Sequence, residues 1–468
     1  MTSFTSHLLP LASSEDTICA LATAHGGALG IIRVSGPRAF DTVSSICTVD
    51  LNSVQARSAC YTRLVEYNAV SQHSALIDEA IVTVFRAPHS YTGEDSVEIS
   101  CHGSSYILNK VLDLLVKHGC RMARPGEFTQ RAYLNGKMDL SQAEAVADLI
   151  ASTNKATHDL AMSQLRGHFS SELKDLREQL LRLTSLLELE LDFSDHEDLE
   201  FADRSELLSL AQTIDAQITH LASSFETGQA IKQGFPVAIV GKTNVGKSTL
   251  LNRLLHEERA IVSDIHGTTR DTIEDTIDIH GITFRFIDTA GIRQTTDTIE
   301  RIGIDRTYQA ISKARIVLWL FDEMPTDTEI ADISSRCEGK ALIPILNKVD
   351  LAYVCGCGCV CDKVILKISA KQGTGIDDLE QAISTAADIP ELSDTDVIVT
   401  NARHYEALTR ARQSLQRVLD GLYAQVSGDL LAEDLRLVLA DLAEITGEGQ
   451  ITPQETLNNI FSHFCVGK

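Results

Sequence analysis

The stretch FPVAIVGKTNVGKSTL, residues 235–250, constrains this chain more than any other. Phe235 to Val240 is mostly apolar and reads as a short buried strand. It runs into Gly241-Lys242-Thr243-Asn244-Val245-Gly246-Lys247-Ser248, which has the phosphate-loop spacing G-x-x-x-x-G-K-[ST]. Glycines stand at the tight positions so that backbone N–H groups can point inward at phosphate oxygens. Lys247 then reaches the β- and γ-phosphates, and the Ser248 hydroxyl is placed to ligate Mg²⁺. The helix opening at Ser248-Thr249 aims its positive end at the same anions.

Further pieces follow in the order a guanine-nucleotide switch requires. A strand from Phe284 to Ile287 delivers Asp288-Thr289-Ala290-Gly291, with Asp288 placed for the magnesium shell and Gly291 for the γ-phosphate. After a strand from Ile316 to Phe321, a fourth from Ala341 to Leu346 delivers Asn347-Lys348-Val349-Asp350. The Asp350 carboxylate can accept from both N–H groups on one edge of guanine, which adenine does not offer. A fifth strand, Val364 to Ile368, ends in Ser369-Ala370-Lys371, suited to the carbonyl edge of the base. Each motif is weak alone; in order, each at the carboxyl end of a strand, they specify a GTP- and GDP-binding α/β domain. Ile292 follows Gly291, so no glutamine stands there to orient a water. Thr269 is the expected second magnesium ligand, and hydrolysis must recruit another ion, another acid or a rearranged switch.

A chain of 468 residues suits about three domains at ~150 residues each. The net charge of −24 at pH 7 argues against a broadly basic surface while leaving room for a local basic patch. The 11 cysteines are scattered, which suits a reducing cytosol better than a disulfide framework. The first residues lack a secretory pattern, and no apolar run reaches the roughly 18 residues that a membrane span needs. The reading is cytoplasmic, with no membrane.

Residues from Asp16 to about Arg124 read as α+β: strands at Thr17 to Ala22, Ile31 to Val34, Ala80 to Phe85 and Ser96 to Ser100, and a helix from Ser104 to His118. Arg33 and Glu98 interrupt apolar strand patterns and must face solvent, an opposite charge or a ligand. From about Leu140 to Gln229 the pattern is helical, with Leu173, Leu176, Leu180, Leu183 and Leu187 forming one stripe. Helix returns over Ala402 to Tyr423 and Leu430 to Ile445. The two helical blocks are expected to pack together, with the nucleotide-binding domain inserted between neighbouring ends. The acidic run from Glu188 to Asp203 reads as a solvated face or linker.

Two cysteine features stand apart. Cys355-Gly356-Cys357-Gly358-Cys359-Val360-Cys361 places four thiols on one loop, open to a soft metal or to no role, since the spacing departs from C-x₂₋₄-C pairs. The stretch Phe461-Ser462-His463-Phe464-Cys465-Val466-Gly467-Lys468 combines aromatics that favour burial with a thiol and a lysine, and it fails the prenylation pattern.

These residues carry a family signature. The chain resembles the MnmE (also TrmE) family of tRNA uridine-modification GTPases over essentially its whole length. The resemblance rests on Gly30-Ile31-Ile32-Arg33-Val34-Ser35-Gly36, Tyr91-Thr92-Gly93-Glu94-Asp95, Cys101-His102-Gly103 and Arg124-Pro125-Gly126-Glu127-Phe128-Thr129 with Arg131. It rests also on Leu134-Asn135-Gly136-Lys137 and Phe464-Cys465-Val466-Gly467-Lys468. It implies a multidomain fold. Residues 1–136 would be an α+β tetrahydrofolate-binding and dimerisation domain, and 137–233 with 388–468 a discontinuous all-α helical domain. Residues 234–387 would be an inserted Ras-like P-loop GTPase domain.

The resemblance further implies a homodimer through the N-terminal domain and a heterotetramer with the FAD-binding partner MnmG (also GidA). Together these add an aminomethyl or carboxymethylaminomethyl group to carbon 5 of the wobble uridine of certain tRNAs, from a methylene-tetrahydrofolate donor. The family's 5-formyl-tetrahydrofolate contacts fall on Arg33, Glu98, Lys137 and Lys468. This moves Arg33 and Glu98, which composition alone reads as surface residues, into a ligand site. Cys465 matches a family cysteine needed for modification. Hydrolysis is implied to depend on K⁺, held by Asn244, Ser263, Ile265 (through its carbonyl) and Thr268, with Mg²⁺ held by Ser248 and Thr269. Asp264, His266 and Gly267 belong to the same nucleotide-facing loop, and Glu300 matches the acid that orients the water. The chain has Thr243 where relatives usually carry proline, and the cysteine-rich loop is not a family feature. The rival reading is a regulatory or ribosome-assembly GTPase without modification chemistry; the folate residues and the Cys465 stretch separate the two.

Overall fold

The structure is a computed structural model that describes residues 16–68, 73–192, 204–257, 275–287, 308–351, 359–360, 363–388, 397–447, 454–462, 464 and 466–467. The chain divides into two compact units, one of residues 1–150, 164–177 and 436–468, the other of residues 151–163 and 178–435.

The first unit is built on a sheet of β1 (Thr17–Leu21), β2 (Leu29–Ser35), β3 (Ser58–Asn68), β4 (His73–Phe85), β5 (Ser96–His102) and β6 (Cys120–Met122). The strands lie in the order β3-β4-β5-β2-β1-β6, with only the β1–β6 pair parallel. Alternation sends Ile32, Val34, Val82, Val84, Val97 and Ile99 into one core, where Leu108, Val111 and Leu115 of the helix Ser105–Lys117 meet them. Each such side chain contributes about 1.5–3 kcal/mol by leaving water. The opposite face carries Arg33 and Glu98, directly paired across β2 and β5. Toward the sheet edge that face exposes the cross-strand pair Tyr61 and Ile81, 59% and 53% accessible.

A short helix, Glu127–Leu134, covers the β1 end of this second face, burying Phe128 against Ile18 and Ala20. Its N-cap is Gly126 at φ +66°, and a Cβ there would stand 2.7 Å from the Phe461 carbonyl oxygen. Glycine is required because the helix Gln454–Ser462 lies so close. Leu457, Phe461 and Phe464 fill a cluster with Leu140 and Ala143.

In the second unit β7 (Phe235–Val240), β8 (Asp275–Ile279), β9 (Ile282–Phe286), β10 (Ile316–Phe321) and β11 (Ala341–Leu346) are followed by the short β12 (Cys359–Val360), β13 (Lys363–Val364) and β14 (Leu366–Lys367). The main sheet runs β14-β11-β10-β7-β9-β8, parallel except for β8 at its edge. Val237, Ile239, Leu318 and Ile345 face helices Lys247–Glu257 and Ile376–Ala386, while Ala238, Val240, Val317 and Trp319 face Ala310 and Ile311. Burial on both faces explains why β7, β10 and β11 read as near-continuous apolar runs. The single strand expected from Val364 to Ile368 is broken instead. Lys363–Val364 turns back on β12, and only Leu366–Lys367 joins β11, with Ile365 packed into one face of the sheet and Ile368 into the other.

Helices Arg204–Ser223 and Ala402–Tyr423 pack along each other, burying Leu207, Ala211, Ile214 and Ile218 from one and Ala407, Leu408, Ala411 and Leu415 from the other. The chain runs into the sheet through the helix Phe225–Gln233 and leaves it beside the same helix. Val399 N donates to Ser224 Oγ at 3.0 Å, Gln229 Nε2 donates to the Thr400 carbonyl at 2.9 Å, and a Cβ on Gly228 would stand 2.2 Å from the Val399 oxygen. The architecture is multidomain: an α+β N-terminal sheet domain, helices on both sides of the nucleotide-type fold in sequence, and a P-loop α/β sheet between them. Among the described residues no helix is long and apolar enough to cross a membrane.

Candidate functional site

β7 ends in the phosphate loop, whose backbone cannot be made from ordinary residues throughout. Gly246 sits at φ +100°, where a Cβ would come 2.3 Å from Asn347 Nδ2. Asn244 occupies the left-handed region at φ +63°, which asparagine tolerates better than most side chains. Lys247 folds back on its own loop: Nζ donates to the Gly241 carbonyl at 2.5 Å and to the Lys242 carbonyl at 2.8 Å. Burial pushes its ammonium below the ordinary lysine pKa, so an anion beside it would be favoured. Val245 is buried, Ser248 half-buried and Thr249 exposed at the start of the helix Lys247–Glu257.

The turns after β11 and β14 converge on this loop. Asn347, buried, donates from Nδ2 to the Val245 carbonyl at 2.7 Å and accepts from Ala370 N at 3.0 Å. Ser369 Oγ donates to Asp350 Oδ1 at 2.7 Å, leaving the exposed carboxylate oriented by a buried hydroxyl. Lys348, at φ +63°, pairs with Asp322 at 2.8 Å, and that bond holds the Asp322 carboxyl below its usual pKa. The structure thus brings together residues 244–249, Asn347, Lys348, Asp350, Ser369 and Ala370. Ser263, Asp264, Ile265, His266, Gly267, Thr268, Thr269, Asp288, Thr289, Ala290, Gly291 and Glu300 lie outside the described residues. So do Cys355, Cys357 and Cys361 of the cysteine-rich loop.

A second constellation lies on the first unit's sheet. Arg33 donates to Glu98 Oε1 through Nε at 3.0 Å and Nη2 at 2.8 Å. Its guanidinium lies 5.3 Å from the Tyr91 ring centroid and 5.7 Å from that of Phe128, and Nη1 reaches the Gly467 carbonyl at 3.4 Å. Lys137 Nζ bonds instead to the Pro88 carbonyl at 3.0 Å. Gly467 is held at φ +96° with Leu21 and Ala22 where a Cβ would be. Its neighbours Cys465 and Lys468 are outside the described residues.

Two family models match the chain: one described as the MnmE helical domain covers residues 140–465, and one described as the GTP-binding protein TrmE N-terminus covers residues 17–137. The chain is 54% identical to the tRNA modification GTPase MnmE of Phocaeicola vulgatus, over 97% of this chain and 99% of that protein. It is 55% identical to the protein of the same description from Bacteroides fragilis, over 97% and 100%. The chain belongs to the MnmE family.

In this MnmE-family chain the motif Arg124 to Thr129 with Arg131 holds residues that the sequence marks without explaining. Buried Arg131 binds Asp16 Oδ1 at 2.6 Å and both Glu94 oxygens at 3.2 Å, while Arg121 binds Asp16 Oδ2 at 2.8 Å and Glu127 Oε2 at 3.0 Å. Glu127 also accepts from Arg124 N at 2.8 Å, and Ser35 Oγ donates to Glu94 Oε2 at 2.8 Å. Burial alone would raise the Asp16 and Glu127 carboxyls; the guanidiniums more than offset it and hold both below the usual carboxylate range. The network fixes the helix that carries Phe128, and through it one wall around Arg33. Tyr91 and Phe128 were not singled out as site residues by sequence. The signal for them is that each stands inside a motif already quoted, three and thirty residues from Glu94 and Glu98 respectively.

Proposed function

We propose that this chain is a GTP hydrolase that acts in tRNA modification. The observation that carries the reading is the convergence on one phosphate loop of Lys247, the Asn347 amide and the Ser369-oriented Asp350. Backbone N–H groups of 244–249 and Lys247 would hold the phosphates of GTP or GDP, and Asp350 would read the guanine edge. Asp288, Thr289, Ala290 and Gly291 would close on the γ-phosphate side. Ser248 and Thr269 would hold Mg²⁺. Asn244, Ser263, Ile265 and Thr268 would hold K⁺, which supplies positive charge among the phosphates, with Asp264, His266 and Gly267 in the same loop. Glu300 would orient the water.

The finer reading extends to the one-carbon chemistry. Arg33, Glu98, Lys137 and Lys468 would bind a 5-formyl- or methylene-tetrahydrofolate. The chemistry present fits such a ligand: a carboxylate for pterin N–H groups, a guanidinium for the carboxylate tail, and the Tyr91 and Phe128 rings for the flat heterocycle. Cys465 would act near it. The protein would work as a homodimer through its N-terminal domain, which the exposed Tyr61–Ile81 face supports. With the FAD-binding MnmG it would add the aminomethyl or carboxymethylaminomethyl group to the wobble uridine.

GTP hydrolysis measured in matched KCl and NaCl tests this reading, with Asn244→Ala and Asn244→Gly alongside; the glycine variant removes the side chain without strain at φ +63°. Stimulation by KCl that both variants lose is expected. Equal rates in both salts would overturn the K⁺ mechanism. Wild-type GTP turnover with no change in wobble-uridine modification on deleting the gene would favour a regulatory GTPase instead.

A further inference from the structure

The hairpin β8–β9 occupies a sensitive place. β8 begins at Asp275, directly after the segment 258–274, and β9 ends at Phe286, two positions before Asp288. Its register is continuous from Asp275↔Phe286 to Ile279↔Ile282, so the ladder ties both strand ends to the tip without a bulge. On the sheet side β9 is bonded to β7, the strand that feeds the phosphate loop, through Phe235↔Phe284 and Val237↔Phe286. On the other side β8 is the sheet edge.

The tip of this hairpin is held by something the nucleotide motifs do not include. Its two central residues, His280 and Gly281, have φ +54° and +81°, the pattern of a tight I′ turn. The turn sits on the first turn of the helix Lys155–Leu165: Ala156 N, a donor that a helix start leaves unpaired, bonds to the Gly281 carbonyl at 3.1 Å. A Cβ on Gly281 would be 3.2 Å from Lys155 Cβ. Ala156 and Leu160 pack in the same core as Ile277, Ile279 and Ile282.

Asn154 does two things at this junction. Its Oδ1 accepts from Thr157 N at 2.8 Å, capping the helix, while its Nδ2 donates to Thr283 Oγ1 at 2.6 Å. Thr283 in turn packs against Gly234, where the chain enters β7; its Cγ2 lies 3.1 Å from where a Cβ would stand. Capping alone needs only an oxygen, and serine supplies one as well as asparagine does. The second arm has no part in the cap.

We infer that Asn154 is a positioning residue for GTP hydrolysis, acting through Thr283 to hold the β8–β9 hairpin in register with the phosphate-loop strand. The inference rests on the reading of this chain as a GTP hydrolase. Loosening the tip shifts both strand ends relative to the phosphate loop while leaving the loop's own contacts with nucleotide in place. The cost therefore falls on turnover rather than on binding.

The test uses Asn154→Ser, which keeps the cap oxygen and lacks the arm to Thr283, Thr283→Val, which removes the hydroxyl at constant shape, and the double variant. Asn154→Ala serves as the cap-loss control. GTP hydrolysis and thermal unfolding are measured on the full-length protein. Asn154→Ser and Thr283→Val should each lower kcat about 3- to 10-fold with KM for GTP unchanged, since small misplacements away from the reacting atoms act on rate. The double variant should be no worse than either single one, and Tm should stay close to wild type in both. Wild-type kcat in the two single variants, additive losses, or a kcat loss confined to Asn154→Ala together with a fallen Tm would each overturn the inference. Absence of GTP hydrolysis in the wild-type protein would instead overturn the functional reading beneath it.

Discussion

The side-chain amide of Asn347 donates to the backbone carbonyl of Val245 at 2.7 Å, and the same carboxamide accepts from Ala370 N. One buried group thereby sets the spacing between the loop that would hold phosphates and the two turns that would hold the base. Neither turn can drift without breaking a hydrogen bond that water is poorly placed to replace.

Asn347→Ala should therefore weaken nucleotide binding without touching any group that contacts phosphate. It leaves the Val245 carbonyl and the Ala370 N–H unpaired in a buried place, at about 1–3 kcal/mol each. Fluorescent GDP titration should show affinity lower by at least about tenfold, and chemical unfolding a lower midpoint. An unchanged affinity would show that the loops hold their spacing by other means.

Gly246→Ala should be more damaging to binding than to folding. The added Cβ meets Asn347 Nδ2 at 2.3 Å and the residue must keep φ +100°, a strain of about 1–3 kcal/mol. Loss of GDP binding with a secondary-structure spectrum like wild type is the expected result. Wild-type affinity would mean that the loop can relax away from Asn347.

The Arg121–Arg131 network predicts an acid-sensitive N-terminal sheet domain. Asp16 and Glu127 titrate lower in the folded protein than in the unfolded chain. Their stabilisation is fully present above the unfolded carboxylate range, about pH 4 to 4.5. It is lost as pH falls through the depressed folded values. Urea midpoints measured from pH 7 downward should drop across that window. Glu127→Gln should destabilise by about 1–3 kcal/mol at pH 7, since it removes charge-assisted bonds to Arg121 and Arg131 while Asp16 still pairs with both guanidiniums, and should flatten the acid limb.

Arg33→Lys should fail as a conservative change. Lysine cannot make both bonds to Glu98 Oε1 or lie flat between Tyr91 and Phe128. Titration with 5-formyl-tetrahydrofolate should show affinity reduced by about tenfold or more, while GTP hydrolysis in KCl is unchanged. Equal folate affinity in the variant would remove Arg33 from the site.

Much of this was legible beforehand for a physical reason. β7, β10 and β11 are buried on both faces, so they appear as apolar runs, and the phosphate loop follows from a backbone that only glycine permits. β3 is not marked by sequence, because its alternation of buried Thr62 and Leu64 with exposed Tyr61 and Arg63 lacks any strong aliphatic run. β9 is read from Phe284 onward, but its partner β8 is not, because the His280-Gly281 turn that joins them is a short signal inside a stretch read for its flanking motifs. Arg33 and Glu98 show the opposite limit. Composition places both on the surface, yet they pair with each other and Arg33 lies over two aromatic rings, an arrangement made by cross-strand register that no local window contains.

The bond from Arg33 to the Gly467 carbonyl joins residues 434 positions apart. Contacts of that span are the slowest to form, because the intervening chain must be brought together before any reward is gained. The strand that carries Arg33 leaves the ribosome among the earliest parts of the protein, and its neighbourhood stays unfinished while the nucleotide-binding fold is synthesised and collapses. A chain cut between Tyr423 and Phe461 would thus keep every strand of the nucleotide fold and leave an open seam at Gly126 and Leu21. The neighbourhood of Arg33 ripens last, which makes its completeness a checkpoint on the whole polypeptide.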